Sequence, residues 1–143
     1  MKVADTEVMR MLSIRLSNAQ ARSRQQRWAC NIDLPWLVDR YNGIAGCCEI
    51  TGLPLDSGPV KANSGRDRRP FRISLDRKDS ERGYTRDNVR IVCACINYAL
   101  GSWGDLVLQI MARSLVAHAN RETPEIVEWV GDDLEDCEEE LAD

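Results

Sequence analysis

Histidine is almost missing from this chain: of 143 residues only His118 is one. With no second imidazole, His118 is the only candidate for a histidine base. Its place far along the last expected long helix reads instead as a core or surface position. No apolar run approaches the roughly 18 to 20 residues that a membrane span needs. The opening residues Met1-Lys2-Val3-Ala4-Asp5 show no apolar core and no cleavage pattern, so no signal peptide is expected and the location reads as cytoplasmic. Internal repeats are absent. Lys and Arg are absent from residues 122–143, which carry eleven acids and a net charge of −11.

The charge that is present is divided along the chain. Residues 61–90 hold ten basic residues against five acidic ones, net +5, although the whole chain is −4. A basic middle beside an acidic tail fits a polyanion site with an appendage that screens or imitates a polyanion. The simpler alternative is a solvated surface followed by a disordered tail.

Local signals organise the chain into one modest α+β domain. Asp5 or Thr6 can cap a first helix whose apolar stripe is Val8, Leu12, Leu16 and Ala19. Its other face carries Arg10, Arg15, Arg22, Arg24 and Arg27, which reads as a solvated face in preference to extra phosphate contacts. Asp33, Pro35 and Gly43 mark the cap, first turn and stop of a second helix, with Trp36, Leu37 and Tyr41 toward the core. Residues 46–55 read as a knuckle-type turn entering a short strand, and residues 56–70 as an exposed, mobile loop. Strands are expected at 71–75 and 88–93, the second with Val89, Ile91 and Cys93 on one face. A helix follows from Ala94 to about Leu100, broken at Gly101 and Gly104. Another spans about 105–119 with Leu106, Ile110, Met111, Leu115 and His118 along its stripe. Pro124 opens a last short helix, and residues 132–143 are expected to be disordered. In domain terms, residues 1–44 are N-terminal helices, 45–103 a finger, 104–131 C-terminal helices and 132–143 the tail.

Six cysteines without a signal peptide read as free thiols or metal ligands rather than disulfides. Cys47 and Cys48 are adjacent, and Cys93 and Cys95 are one residue apart. Structural zinc sites use gaps of two to four residues, so these cysteines suit zinc poorly and read as small buried apolar groups. Cys30 and Cys137 look unrelated to them.

The chemistry concentrates between Ile73 and Asn97. Phosphodiester hydrolysis needs a cation for developing charge, a base to activate water, and donors for the phosphates. Asp76 at a strand end and Asn97 on the following helix offer two hard oxygens of the kind Mg²⁺ or Mn²⁺ accepts. Asp79 and Asp87 read as turn caps, and Tyr84 as a packing residue. Arg66, Arg68, Arg69, Arg72, Lys78 and Arg90 are candidate phosphate contacts.

The run Cys48-Glu49-Ile50-Thr51-Gly52, with Asp76-Arg77-Lys78-Asp79, Gly83-Tyr84 and Asp87-Asn88, resembles the HNH endonucleases, also called ββα-metal or His-Me finger nucleases. Phage and prophage members are the most similar, and the likeness covers residues 33–103. The resemblance implies a mainly helical domain around a ββα-metal finger. It makes Asp76 and Asn97 metal ligands, Asn88 the brace of the hairpin loop, Mg²⁺ or Mn²⁺ the cofactor and DNA the partner. It places the general-base His at position 77, where this chain has Arg. At pH 7 only about one Arg in a million is neutral, so Arg77 is no ordinary base. It is left to hold phosphate or neutralise transition-state charge, and losing a positioned base costs about 100- to 10,000-fold in rate. The implied function is therefore a metal-dependent endonuclease or nickase. Its alternative is a catalytically weak or inactive phage-type descendant that binds nucleic acid through the basic loop, or a protein partner through the acidic tail.

Overall fold

The computed structural model describes residues 6–59 and 69–121. The elements are α1 (Thr6–Gln26), α2 (Leu34–Gly43), β1 (Ile73–Arg77), β2 (Val89–Cys93), α3 (Ala94–Leu100) and α4 (Asp105–Ala119), an α+β arrangement. The expected helix after Pro124, the acidic tail, Arg66 and Arg68 lie outside the described residues. No described helix is long and apolar enough to cross a membrane.

Helix α1 forms where its stripe predicts and buries Val8, Met11, Leu12 and Ala19. Helix α2 begins at an Asp cap: Asp33 Oδ1 accepts the Trp36 N–H at 2.8 Å, and Pro35 lies in the first turn. Leu12, Leu37, Ile73, Ile91, Val92 and Cys93 are fully shielded and join Val8, Met11, Cys48 and Leu55 in one core. Each such Leu or Ile contributes roughly 1.5–3 kcal/mol by leaving water. A second cluster, Ala19, Ile32, Tyr84 and Val89, sits beside the hairpin loop.

The sheet has two antiparallel strands, with Ile73 opposite Cys93 and Asp76 opposite Arg90. β1 starts two residues later than the alternation predicts. Phe71 and Arg72 pair instead with Asp56: the Asp56 N–H donates to Phe71 O at 2.8 Å, and Asp56 bridges Arg72. β2 is buried on both faces, since Ile91 and its neighbour Val92 are equally shielded. Helices α1 and α3 both pack on this small sheet, which is why one-sided alternation fails.

A two-stranded sheet has two free edges, and each edge carbonyl or N–H needs a partner when covered. Side chains supply them here. Arg15 Nε donates to Ile73 O at 2.8 Å, and Asn97 Nδ2 donates to Leu75 O at 3.1 Å. On β2, the Glu49 N–H donates to Ile91 O, and Glu49 Oε1 accepts the Ile91 N–H at 2.7 Å. Arg40 completes that clamp with two bonds of 2.7 and 2.6 Å to the Glu49 carboxylate.

The loop between the strands is stitched to the α1–α2 connection. The Asn31 N–H donates to Tyr84 O, and Arg86 reaches Asn31 and Asp33. Gly83 permits this approach, because a Cβ there would lie 2.0 Å from Ala29 O. Gly101 ends α3 at φ +48°, and α4 follows.

By contact pattern the chain to Leu108 is one unit, and from Gln109 onward a second. Helix α4 forms over the expected span, and its apolar stripe is not buried. None of its residues is buried, and Leu106, Ile110, Met111 and Leu115 are each more than half exposed. His118 is exposed as well.

Glu49 makes the fold acid-sensitive. Burial pushes its pKa up, but hydrogen bonds from Arg40 and the Ile91 N–H, with the Arg40 charge, outweigh burial and leave it lowered. A lowered carboxyl contributes stability that is complete above its unfolded value, near 4.3, and is lost as pH falls through the folded value. Glu49→Gln is expected to cost about 1.5–3 kcal/mol at pH 7. It should also flatten the wild-type loss of stability on acidification below about pH 4. Urea denaturation across pH checks both, and identical acid slopes in the two proteins would contradict them.

Candidate functional site

Asp76 is the fourth residue of β1 and is only 5% exposed. Its partner across the sheet is Arg90, by register. Arg90 Nε donates to Asp76 Oδ2 at 2.8 Å, and Nη2 lies 2.7 Å from the same oxygen. The other side of the guanidinium grips Asp105, the first residue of α4, with two 2.7 Å bonds. The hydrogen bond to Asp105 is the largest influence on Arg90 and raises its pKa, with burial opposing and Asp76 adding to the rise. The same bond lowers the Asp105 pKa against a smaller opposing effect of burial. Arg90 is thus the hub of an Asp–Arg–Asp cluster and not a side chain extended toward solvent.

Arg77 is the next residue and turns to the other face. Its Nη1 donates to Ser80 O and Arg82 O, each at 2.7 Å, which curls the hairpin loop around the guanidinium. Its Cζ lies 3.9 Å from the centre of the Trp28 ring and 5.2 Å from that of Tyr84. Such stacking fixes a cation on an aromatic face. Asn88, 1% exposed, holds the loop from the other end. Its Nδ2 donates to Asp79 O and Gly83 O, and its Oδ1 accepts the Asp79 N–H at 2.9 Å. Asp79 also accepts the Glu81 N–H in a turn.

Asn97 projects from the first turn of α3 onto β1, where Nδ2 donates to Ser74 Oγ at 2.8 Å and to Leu75 O. Ser74 and Asp76 share a face of the strand, with the next same-face position about 7 Å away. A shared Mg²⁺ would require both oxygens at about 2.0–2.1 Å from one ion. Asp76 and Asn97 also line different cavities. Asp76, Arg77, Lys78, Asp79, Glu81 and Arg90 border one of ≈ 300 Å³. Asn97 borders another of ≈ 190 Å³ beside α1. Among the described residues, no three His, Cys, Asp or Glu side chains converge as metal ligands. In this arrangement Asp76 is bonded to Arg90, and Asn97 spends its amide hydrogens on β1, which leaves its Oδ1 as the atom a cation would use.

The remaining candidate contacts differ in what they touch. Arg69 pairs with Asp56 at 3.0 Å, Arg72 Nη2 donates to Tyr98 OH at 3.0 Å, and Lys78 Nζ donates to Asp87 O at 3.2 Å. The thiols gather at the knuckle. Cys93 Sγ lies 3.6 Å from Cys95 Sγ, and burial pushes the Cys93 thiol up to about 11. At Cys48, burial acts upward, but hydrogen bonds from the Thr51 hydroxyl and from backbone groups leave the pKa lowered. Thr51 therefore serves the Cys48 sulfur.

Asp105, Arg15 and Arg22 are the residues that the sequence reading did not single out for this region. Arg15 and Arg22 stand two turns apart on one face of α1, a signal visible as spacing alone. Asp105 gave no such signal, because its link to Arg90 depends on the break at Gly101 and Gly104. No family model matches this chain, and no curated protein and no solved structure matches it either.

The cluster sets an order of stabilities. Replacing Arg90 by Met strands a buried Asp76 carboxylate and should cost about 3–5 kcal/mol. Asp76→Asn leaves Arg90 still gripped by Asp105 and should cost less, about 1–3 kcal/mol. An Asp76 held open for a cation would behave in the opposite way: Asp76→Asn would be neutral or stabilising, and Mg²⁺ would raise the wild-type Tm.

Proposed function

We propose that this chain is a nucleic-acid-binding protein built on an HNH-like finger whose metal-ligand carboxylate has been drawn into an internal ion pair. The observation that carries this reading is the Arg90 guanidinium bonded to Asp76 inside the sheet. Asn97, turned to the β1 edge, adds to it. DNA as the ligand rests on the resemblance of residues 33–103 and on the net +5 of residues 61–90. Arg77 and Lys78, at the rim of the ≈ 300 Å³ cavity, would meet a phosphodiester there. With Asp76 paired to Arg90, and with Arg in the place of a base, the finger holds phosphate and does not hydrolyse it.

One observation favours a second reading, a metal-dependent nickase. Asp105 already holds Arg90 by two bonds, so Arg90 can release Asp76 without becoming unpaired.

Incubation with supercoiled plasmid separates the two. The binding protein retards DNA with an affinity that falls steeply with salt. It leaves the plasmid closed with Mg²⁺ or Mn²⁺ even at enzyme excess. Nicking that is abolished by Asp76→Ala and by Asn97→Ala would overturn the binding reading in favour of the nickase.

A further inference from the structure

Three thiols, Cys48, Cys93 and Cys95, gather around the junction of β2 and α3, and the nucleic-acid reading uses none of them. Cys93 is the last residue of β2, and Cys95 lies in the first turn of α3. Their sulfurs are 3.6 Å apart. Cys93 stands at the cap position of α3, yet its side chain makes no capping bond, so the start of the helix does not depend on its sulfur. The backbone around the pair is held from outside. The Ala94 N–H donates to Arg72 O and the Cys95 N–H to Pro70 O, each at 3.0 Å. Two sulfurs on a fixed backbone stay neighbours.

Burial divides the roles. Cys93 is fully shielded and Cys48 is 2% exposed, whereas Cys95 is partly exposed. An oxidant dissolved in water therefore meets Cys95 first. Cys93 is the thiol in contact with it. Burial pushes the Cys93 thiol up to about 11, which keeps it protonated at neutral pH and out of the first step. A disulfide needs sulfurs about 2.05 Å apart, so the pair must close by about 1.5 Å, a shift that a turn of the Cys95 side chain supplies.

We propose that Cys93 and Cys95 form a dithiol that hydroperoxides oxidise, with Cys95 as the attacking sulfur and Cys93 as the resolving one. The Cys95 thiolate attacks one peroxide oxygen, the O–O bond breaks, and hydroxide leaves to become water. The sulfur is now a sulfenic acid and the peroxide has been reduced. Cys93 then attacks the Cys95 sulfur. The S–S bond forms, the S–O bond breaks, and the departing hydroxide takes the Cys93 proton as a second water. In total, two thiols and one hydrogen peroxide give one disulfide and two waters. A ring closed over the single residue Ala94 is tight, and strained disulfides are the readily reduced ones, so the change is reversible. The site is independent of the nucleic-acid reading.

Mass spectrometry on the folded full chain tests this with hydrogen peroxide as the probe. Trypsin releases residues 91–113 as one peptide, which contains Cys93 and Cys95 and no other cysteine. After about one equivalent of peroxide this peptide should be lighter by two hydrogens, and dithiothreitol should restore its mass. Cys93→Ser should abolish that loss and leave a sulfenic acid on Cys95 that dimedone traps. Cys95→Ala should also abolish it and leave Cys93 reduced. The wild-type peptide decides the matter even where a core variant fails to fold. Oxygen gained on Cys95 of the wild type with no hydrogens lost would overturn the proposal. So would a peptide that stays reduced while the exposed Cys30 is oxidised, or a disulfide from Cys48 to either thiol in place of this one. Zinc that purifies with the chain and blocks the reaction until chelated would assign the thiols to a metal and overturn the dithiol.

Discussion

Arg90 holds two carboxylates at once, and the geometry around the candidate site follows from that grip. One carboxylate, Asp76, comes from the neighbouring strand, and the other, Asp105, from the start of α4. The Arg90 side chain is 11% exposed, so its charge must be answered inside the protein. Two acids do so, and the arrangement fixes the end of the hairpin against the beginning of α4. It also decides what Asp76 can do. A carboxylate at a strand end is a natural cation ligand, but one already bonded to a guanidinium serves the fold first.

The same economy governs Asn97 and Glu49. A sheet of two strands leaves half of its backbone groups unpaired unless something reaches them. Arg15 and Asn97 serve β1, while Glu49, steadied by Arg40, serves β2. These polar side chains stand in for the missing third and fourth strands. A residue pattern suited to a metal centre is thus folded into a network of charges and edge hydrogen bonds. The clustering of Arg, Asp and Asn in residues 73–97 is explained by that network without requiring a bound ion.

Much of the architecture could be read from local chemistry. The Asp33 cap and Pro35 placed α2, the Val8-to-Ala19 stripe placed α1, and Gly101 ended α3 where expected. Those features depend on neighbours within a few residues. The start of β1 was displaced because Phe71 and Arg72 found a partner in Asp56, some fifteen residues away, which alternation cannot reveal. The second buried face of β2 had the same kind of cause, since helices cover the sheet more fully than a one-sided pattern implies. At the site, the residue types at Asp76, Arg77, Asn88 and Asn97 stood out, but their partners did not. Arg90 looked like a phosphate contact because its two acids lie 14 and 15 residues away. Arg15 and Arg22 looked like solvated charge because the cavity beside them exists only once α1 meets the β1 edge. The stripe of α4 was visible as periodicity, and periodicity does not say whether a partner surface is there.

What unites these features is a hairpin that keeps its charged residues fastened to one another. The claim at its centre is that Asp76 belongs to Arg90 and not to a metal ion. Crystals grown with Mn²⁺ and measured at the manganese absorption edge test this most directly. Internal pairing predicts no anomalous peak within about 2.0–2.3 Å of the Asp76 carboxylate, with Arg90 still bonded to it. A peak bridging Asp76 and Asn97, with Arg90 withdrawn to Asp105, would contradict it.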